Sequence, residues 1–432
     1  MTSYTPAQSS GSTPALSRSD VGIFASLIKL PPGDPDAASA VRWIATSPDE
    51  TKGVLAAELA ALGALEARPI YRGVAFEANL ETGYRAHLWL RTASRIQRIV
   101  ADLPAGSTGE LEAAAADISW PAWLLARHPF TVSPILTDAD ARSVGEPAVR
   151  AAVAGAVARS FSAAALPAPR FDPDAKDPVT LVAHLRDGVC TLGLDTAGRA
   201  LHKRGWRLPG HPAVLKETLA ATVLLLAGYD GSEALLDPMC GSGTLAIEGA
   251  YIALGKAPLI HRGKDDFGFE RQAGFDRALW RRVSEQARAA RRPAPAAPIF
   301  ASDIRQVYVD LARKTALRAR VEKHMKFSTA SLQDLEPPAA SGLLVANLPY
   351  GERIGALPTL YREVGRALRE RFSAWRLALL VPAAAPADAL GLTPAREIAP
   401  SALSAVAPSA FSSVALKNGA LDVRLLLFAA RR

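Results

Sequence analysis

Cysteine is almost missing from this chain of 432 residues: it has only Cys190 and Cys240, in no Cys-x-x-Cys pair and beside no histidine cluster. That scarcity excludes a disulfide-stapled scaffold and offers no ligand set for a metal, so a reducing cytoplasm is the expected setting. Long apolar runs are missing too. No stretch reaches the roughly 18 uninterrupted apolar residues of a membrane helix, and the opening "MTSYTPAQSSGSTPALSRSD" has no basic segment ahead of an apolar core. The expectation is a soluble, unexported protein with no membrane partner. Acidic residues fall short of basic ones, 42 against 50, for a formal net charge of +8. Such an excess suits a polyanionic partner such as nucleic acid, although Arg-rich, Ala-rich usage also arises by genomic drift.

What the chain does have is core: 49% hydrophobic against 21% charged residues excludes a disordered or fibrous protein and suffices for two or three domains. Residues 1–40, rich in Ser, Thr, Pro, Gly and Ala, read as a disordered tail with one short apolar insertion, "VGIFASLIKL". Residues 41–200 read as an α+β region. A first strand leads to a helix opened by Ser47 or Asp49, then come the strand "GVAFEA" and a second helix. On that helix Ala86, Trp89, Leu90, Ala93, Ile96 and Val100 recur at helical spacing. Arg91, Arg95 and Arg98 would share another face, either solvated or set against an RNA backbone. The strands "FTVSPIL", "VTLVAHLRDG" and "VCTLGLDTAG" and the helix "EPAVRAAVAGAVARSF" complete the region. The basic stretch "LHKRGWRLPG", residues 201–210, reads as an interdomain connection or a phosphate clamp.

From residue 201 to 432 strands alternate with helices, which predicts a parallel doubly wound sheet. Its strands are "EALLDPM", "APIFASD", "GLLVANL", "WRLALLVP" and "LDVRLLLFA". The first runs into "DPMCGSGT", residues 237–244, and directly into a helix. Asp237 ends the strand, Gly241 and Gly243 let a ligand approach the backbone, and the helix N-terminus offers free N–H groups. No Lys precedes Thr244, which removes a P-loop. Ala246 breaks a dinucleotide fingerprint, and the best acidic partner, Asp303, lies far beyond the spacing such a fingerprint requires. Asp303 still stands at the tip of the second strand, where a carboxylate can accept both hydroxyls of a ribose, or merely cap the next helix. S-adenosylmethionine has both a carboxylate for the loop and a ribose for Asp303. Cys240, inside the cofactor loop, reads as a small packing residue.

The third of these strands, "GLLVANL", runs into "ANLPYGERIG", residues 346–355. Alone, Asn-Leu-Pro-Tyr could be a tight turn. At the carboxyl edge of the sheet it can also hold a planar exocyclic amine. The Asn347 side-chain oxygen and the Leu348 carbonyl would accept its two N–H bonds, Pro349 would fix the turn, and Tyr350 would stack on the base. The order of Asp237 loop, Asp303 and "NLPY" favours the second role.

With these residues in view, the chain resembles the THUMP-domain class I methyltransferases, and most closely the guanine-N2 methyltransferases of bacterial large-subunit ribosomal RNA. The resemblance spans residues 41–429 through "GVAFEANLETGYRAHLWLRTASRI", "LDTAGRALHKRGWR", "LKETLAA", "LLDPMCGSGTLAIEGA", "NLPYGERIG" and "KNGALDV". It implies a Rossmann-like α/β methyltransferase domain preceded by an α+β ferredoxin-like and THUMP region that captures RNA. Asp237, Cys240, Gly241 and Gly243 would form the cofactor loop, Asp303 the ribose ligand, and Asn347, Leu348, Pro349 and Tyr350 the methylating turn. Lys216 and Glu217 would line the same pocket, and Asn418 with Gly419 would make a hairpin turn.

Two departures from the family pattern stand out. Leu348 replaces a second proline, and Ser331 stands where a cofactor-contacting acid is common, with Asp334 nearby. The chain ends at Arg432, so the second methyltransferase domain of the long ribosomal enzymes is not expected. Transfer RNA as the substrate, DNA adenine-N6 methylation, and a silent RNA-binding assembly factor are the competing expectations. The oligomeric state cannot be read.

Overall fold

The computed structural model describes residues 40–137, 144–211, 215–349, 357–392, 413–419 and 421–430. Tyr350 and the tail 1–39 therefore lie outside the described residues.

The N-terminal half is built on one seven-stranded sheet. Its elements are β1 (Val41–Thr46), α1 (Lys52–Ala61), β2 (Leu65–Ile70), β3 (Gly73–Ala78), α2 (Leu80–Trp89), β4 (Arg95–Pro104), α3 (Thr108–Ala116), β5 (Phe130–Leu136), α4 (Glu146–Ala163), β6 (Val179–Arg186) and β7 (Val189–Asp195). The strand order is β2-β3-β1-β4-β7-β6-β5. The first four strands with α1 and α2 make a ferredoxin-like βαββαβ unit, and the ten-residue β4 carries the sheet onward by pairing with β1 on one side and β7 on the other.

The expected second helix is shorter than its periodicity suggested. It ends at Trp89, and Leu90 turns extended with φ −64° and ψ 119°. Glu58 causes the break: its carboxylate accepts the backbone N–H groups of Arg91 at 2.8 Å and Thr92 at 3.1 Å, the donors needed to prolong the helix. Ile96 and Val100 then fall in β4, where β-branched side chains suit a pleated surface. The three arginines consequently share no face. Arg91 is buried and donates to the Lys256 carbonyl at 3.0 Å, Arg95 pairs with Asp195, and Arg98 lies over the rings of Trp43 and Trp123. Arg91 thus loses the solvated surface expected of it, whereas the Arg95 side chain stays 44% exposed beside Asp195.

The C-terminal half holds α5 (Glu217–Leu226), β8 (Leu235–Asp237), α6 (Thr244–Ala253), α7 (Arg277–Ala289), β9 (Ile299–Asp303), α8 (Gln306–Arg318), β10 (Met325–Thr329), β11 (Gly342–Asn347), α9 (Leu357–Arg371), β12 (Trp375–Pro382), β13 (Ser413–Asn418) and β14 (Leu421–Phe428). The order is β10-β9-β8-β11-β12-β14-β13; the first five strands are parallel and the last two pair antiparallel. The chain steps outward from β8 through β9 to β10 and then restarts on the other side at β11. The carboxyl ends of β8 and β11 thus flank a topological switch point. The expected turn is present too: Asn418 faces Leu421 across a hairpin, and Gly419 adopts a φ of +67°.

The halves share core. Phe267, Phe269, Val283 and Ala287, from the segment between α6 and β9, pack into the cluster around Trp43, Tyr84 and Trp89 of the ferredoxin-like unit. The strap 201–210 joins the halves from inside. Arg204 is fully buried and reaches both Glu248 of α6 and the Arg91 carbonyl, while Arg207 holds Glu217 at 2.9 Å. Neither guanidinium is free to clamp a phosphate.

Candidate active site

At the switch point lies a cavity of about 810 Å³. Asp237, Cys240, Gly241, Asp303, Asn347, Leu348 and Pro349 all line it, so residues separated by as many as 112 positions meet at one sheet edge.

The loop after β8 is tightly tied. The Cys240 N–H donates to the Ser302 carbonyl at 2.9 Å, and the Gly243 N–H to the Cys240 carbonyl at 2.7 Å. Gly241 and Gly243 both have positive φ, +50° and +83°, where a side chain would be strained. Their roles differ. A Cβ on Gly241 would come within 2.8 Å of the His211 ring inside the cavity, whereas one on Gly243 would meet Ala312 of α8 at 3.1 Å. Gly243 is absent from the cavity lining, so its smallness serves helix packing instead of the ligand approach expected of it.

Asp303 is 8% exposed at the tip of β9. One carboxylate oxygen accepts the Gly241 N–H at 3.0 Å and the other the Arg305 N–H at 3.0 Å. Each oxygen keeps a further lone pair for a ligand hydroxyl. Burial pushes the Asp237 carboxyl up to about 8; the Met239 N–H at 3.3 Å works against that rise and the nearby Asp303 charge adds to it. Burial likewise raises the Cys240 thiol well above its usual range, which suits a packing residue and no nucleophile.

Across the cavity, β11 delivers Asn347. Its side-chain oxygen is buried and has no hydrogen-bond donor among the described residues. Leu348 is anchored twice, by its N–H donating to the Leu380 carbonyl at 2.9 Å and by its side chain in the apolar layer beside Tyr361 and Val364. That first bond explains the departure from proline, which has no N–H to give. Ser331 and Asp334 both line the cavity. The Ser331 hydroxyl donates to the Asp334 carboxylate at 2.6 Å, so serine positions an acid instead of supplying one.

Lys216 and Glu217 do not line the cavity among the described residues: Lys216 is exposed and Glu217 is buried against Arg207. His211 and Leu215, just upstream, take that place. Sequence reasoning missed His211, Arg305, Tyr308, Leu360 and Glu363, because each stands alone without a recognisable spacing. His211 packs edge-on against Tyr308 with ring centroids 4.5 Å apart.

Gly241 and Asp303 form one hydrogen-bonded unit beside a helix N-terminus, fitting a nucleoside-bearing cofactor; Asn347, whose buried oxygen has no donor among the described residues, lines the same cavity. Together with the strand order they define a Rossmann-like class I methyltransferase domain. Residues 204–401 match the RMKL-like methyltransferase domain and residues 42–97 the RlmL ferredoxin-like domain. The ribosomal RNA large subunit methyltransferase K/L of Syntrophotalea carbinolica is 35% identical over 90% of this chain and 53% of that protein. Its counterpart in Shewanella oneidensis is 34% identical over 79% and 48%. The chain spans about half the length of these curated relatives. Among solved structures, SMU.472, a putative methyltransferase complexed with SAH, aligns with a TM-score of 0.77 at 27% identity, covering 91% of this chain and 99% of that one. A possible methylase from Clostridium difficile 630 aligns with a TM-score of 0.78 at 25% identity and the same two coverages. Among the described residues no helix is long and apolar enough to cross a membrane, and no group of three metal-ligating side chains occurs.

Proposed function

We propose that this protein methylates the exocyclic N2 amine of a guanosine in large-subunit ribosomal RNA, in the cytoplasm, with S-adenosylmethionine as donor. The observation that carries the proposal is that Asn347, whose buried oxygen has no donor among the described residues, lines the same cavity as Asp303 and the glycine loop. A buried acceptor without a donor is costly, and an amine brought to it removes the cost.

When bound, S-adenosylmethionine supplies a methyl group on a positively charged sulfur, and losing it leaves a neutral thioether. Asp303 would take the ribose hydroxyls, and the loop around Gly241 with the N-terminus of α6 would take the carboxylate. The guanine amine is a poor nucleophile because its lone pair is delocalised into the ring. Asn347 and the Leu348 carbonyl, accepting its two N–H bonds, would orient that lone pair toward the methyl group. The proton lost after transfer would leave along one of those bonds to water. Tyr350, next along the chain, would stack on the base, worth roughly 1–3 kcal/mol. Positioning and hydrogen bonding supply the rate, with no tuned general base. The ferredoxin-like unit and the rest of the first sheet would grip RNA through shape and backbone.

The test is incubation of the purified protein with labelled S-adenosylmethionine and RNA from cells lacking it, followed by nucleoside mass spectrometry. N2-methylguanosine in the large ribosomal RNA is the expected product. The same nucleoside in transfer RNA would move the target, and no methylated nucleoside would overturn the proposal.

A further inference from the structure

Four carboxylates line the cavity: Asp237, Asp303, Asp334 and Glu363. Three already accept hydrogen bonds, Asp237 from Met239, Asp303 from Gly241 and Arg305, and Asp334 from Ser331. Glu363 accepts none among the described residues and forms no ion pair there. It is exposed on α9, one turn beyond Leu360, which lines the same wall. On that side the cavity is closed by Asn347, Leu348 and Pro349, while the glycine loop and Asp303 stand across from them. Two residues that line this cavity, Asn347 and Glu363, therefore carry side-chain acceptors with no donor among the described residues.

Guanine and adenine differ on the edge such a wall would meet. Guanine presents the N2 amine and, beside it, the N1–H donor; adenine presents a bare N1 lone pair next to its amine. A carboxylate can only accept, so it attracts the N1–H of guanine and repels the N1 lone pair of adenine. Resting on the guanine-N2 reading above, we propose that Glu363 is a specificity-determining residue that accepts the guanine N1–H while Asn347 and Leu348 hold N2. It makes the site one for guanine instead of adenine, although both bases carry an exocyclic amine. A site built around such a bond rejects the analogue lacking the donor strongly, because the carboxylate is left facing an acceptor.

The experiment uses the full chain and a synthetic hairpin RNA carrying the nucleotide mapped by mass spectrometry, made either with guanosine or with 2-aminopurine riboside. The second base keeps the N2 amine but has a lone pair at N1. Single-turnover methylation by the wild-type protein should favour guanosine by about tenfold or more. Glu363→Gln can donate to that lone pair. It should slow guanosine and raise 2-aminopurine, narrowing the preference by about tenfold, while affinity for S-adenosylhomocysteine stays within about twofold. An unchanged preference in Glu363→Gln would overturn the role of Glu363 alone, as would a large loss of S-adenosylhomocysteine affinity, which would put Glu363 on the cofactor. Absence of N2-methylguanosine at the mapping stage would instead overturn the guanine-N2 reading, and this inference with it.

Discussion

Arg204 and Glu248 meet at 3.2 Å with neither side chain reaching solvent. Arg204 comes from the strap after the first sheet, and Glu248 lies in α6, the helix that begins at the glycine loop. The same guanidinium donates to the carbonyls of Leu201 at 2.8 Å and Arg91 at 2.6 Å, which ties the ferredoxin-like unit to the cofactor-loop helix. Burial raises the Glu248 carboxyl above its usual range, and the Arg204 and Arg91 charges oppose that rise. Removing one partner strands the other charge. Glu248→Leu alone should therefore cost about 3–5 kcal/mol in denaturant unfolding, and adding Arg204→Met should recover much of it. A single substitution without measurable cost would show that the pair holds nothing together.

The Asp237 carboxyl gives stability a predictable pH dependence. Its folded value, about 8, lies above the 3.8 of an ordinary aspartate, so between the two the folded chain keeps a proton that the unfolded chain has lost. Stability from this group is fully present below the lower value and is lost as pH climbs through the folded one. Asp237→Asn cannot ionise. Denaturant midpoints at about pH 6 and about pH 8.5 should fall in the wild type more than in the variant. Equal falls would remove Asp237 from the effect.

Much of this was legible in the sequence wherever one physical signal ruled. The apolar runs at 130–136 and 375–382 coincide with β5 and β12, and "DPMCGSGT" supplied the loop that leads into α6. Legibility failed where tertiary contacts overruled local pattern. The periodicity through Ile96 and Val100 was genuine, but Glu58, 33 positions before Arg91, took the N–H groups that would have extended the helix. The edge strands β2 and β10 escaped because "LEARPI" and "MKFST" are mostly exposed and alternate poorly. In the site, Asp303 and Asn347 were legible as strand ends. His211 and Glu363 were not, since one residue on a turn or a helix face has no pattern of its own.

The two loop glycines should fail differently when replaced by alanine. Gly243→Ala forces a left-handed φ of +83° on a side chain and presses a Cβ against Ala312, so it should destabilise the fold by about 1–3 kcal/mol. Gly241→Ala also bears strain at φ +50°, but its Cβ points at the His211 ring in the cavity. It should weaken S-adenosylhomocysteine binding beyond what its lost stability explains. Thermal unfolding and calorimetric titration of both variants separate the cases, and parallel losses in both would contradict the distinction.

Leu348 and Asn347 offer the sharpest separation of chemistry from architecture. Proline at 348 would restore the commoner family residue, yet here it would delete the N–H that bonds the Leu380 carbonyl at 2.9 Å and strip a buried side chain from the layer around Tyr361. Leaving that carbonyl unpaired costs about 1–3 kcal/mol, so Leu348→Pro should unfold more readily. It keeps the backbone carbonyl proposed to hold the amine, and methyl transfer at low temperature should survive. Asn347→Ala is the converse. It removes an oxygen that has no donor among the described residues, so folding loses little and S-adenosylhomocysteine should still bind, but methyl transfer should fall by about 100-fold or more. Measuring unfolding, cofactor binding and single-turnover transfer on both variants sets the two residues apart. Normal transfer by Asn347→Ala would remove that side chain from the proposed chemistry, and a stable but inactive Leu348→Pro would show that the leucine serves the reaction and not the sheet.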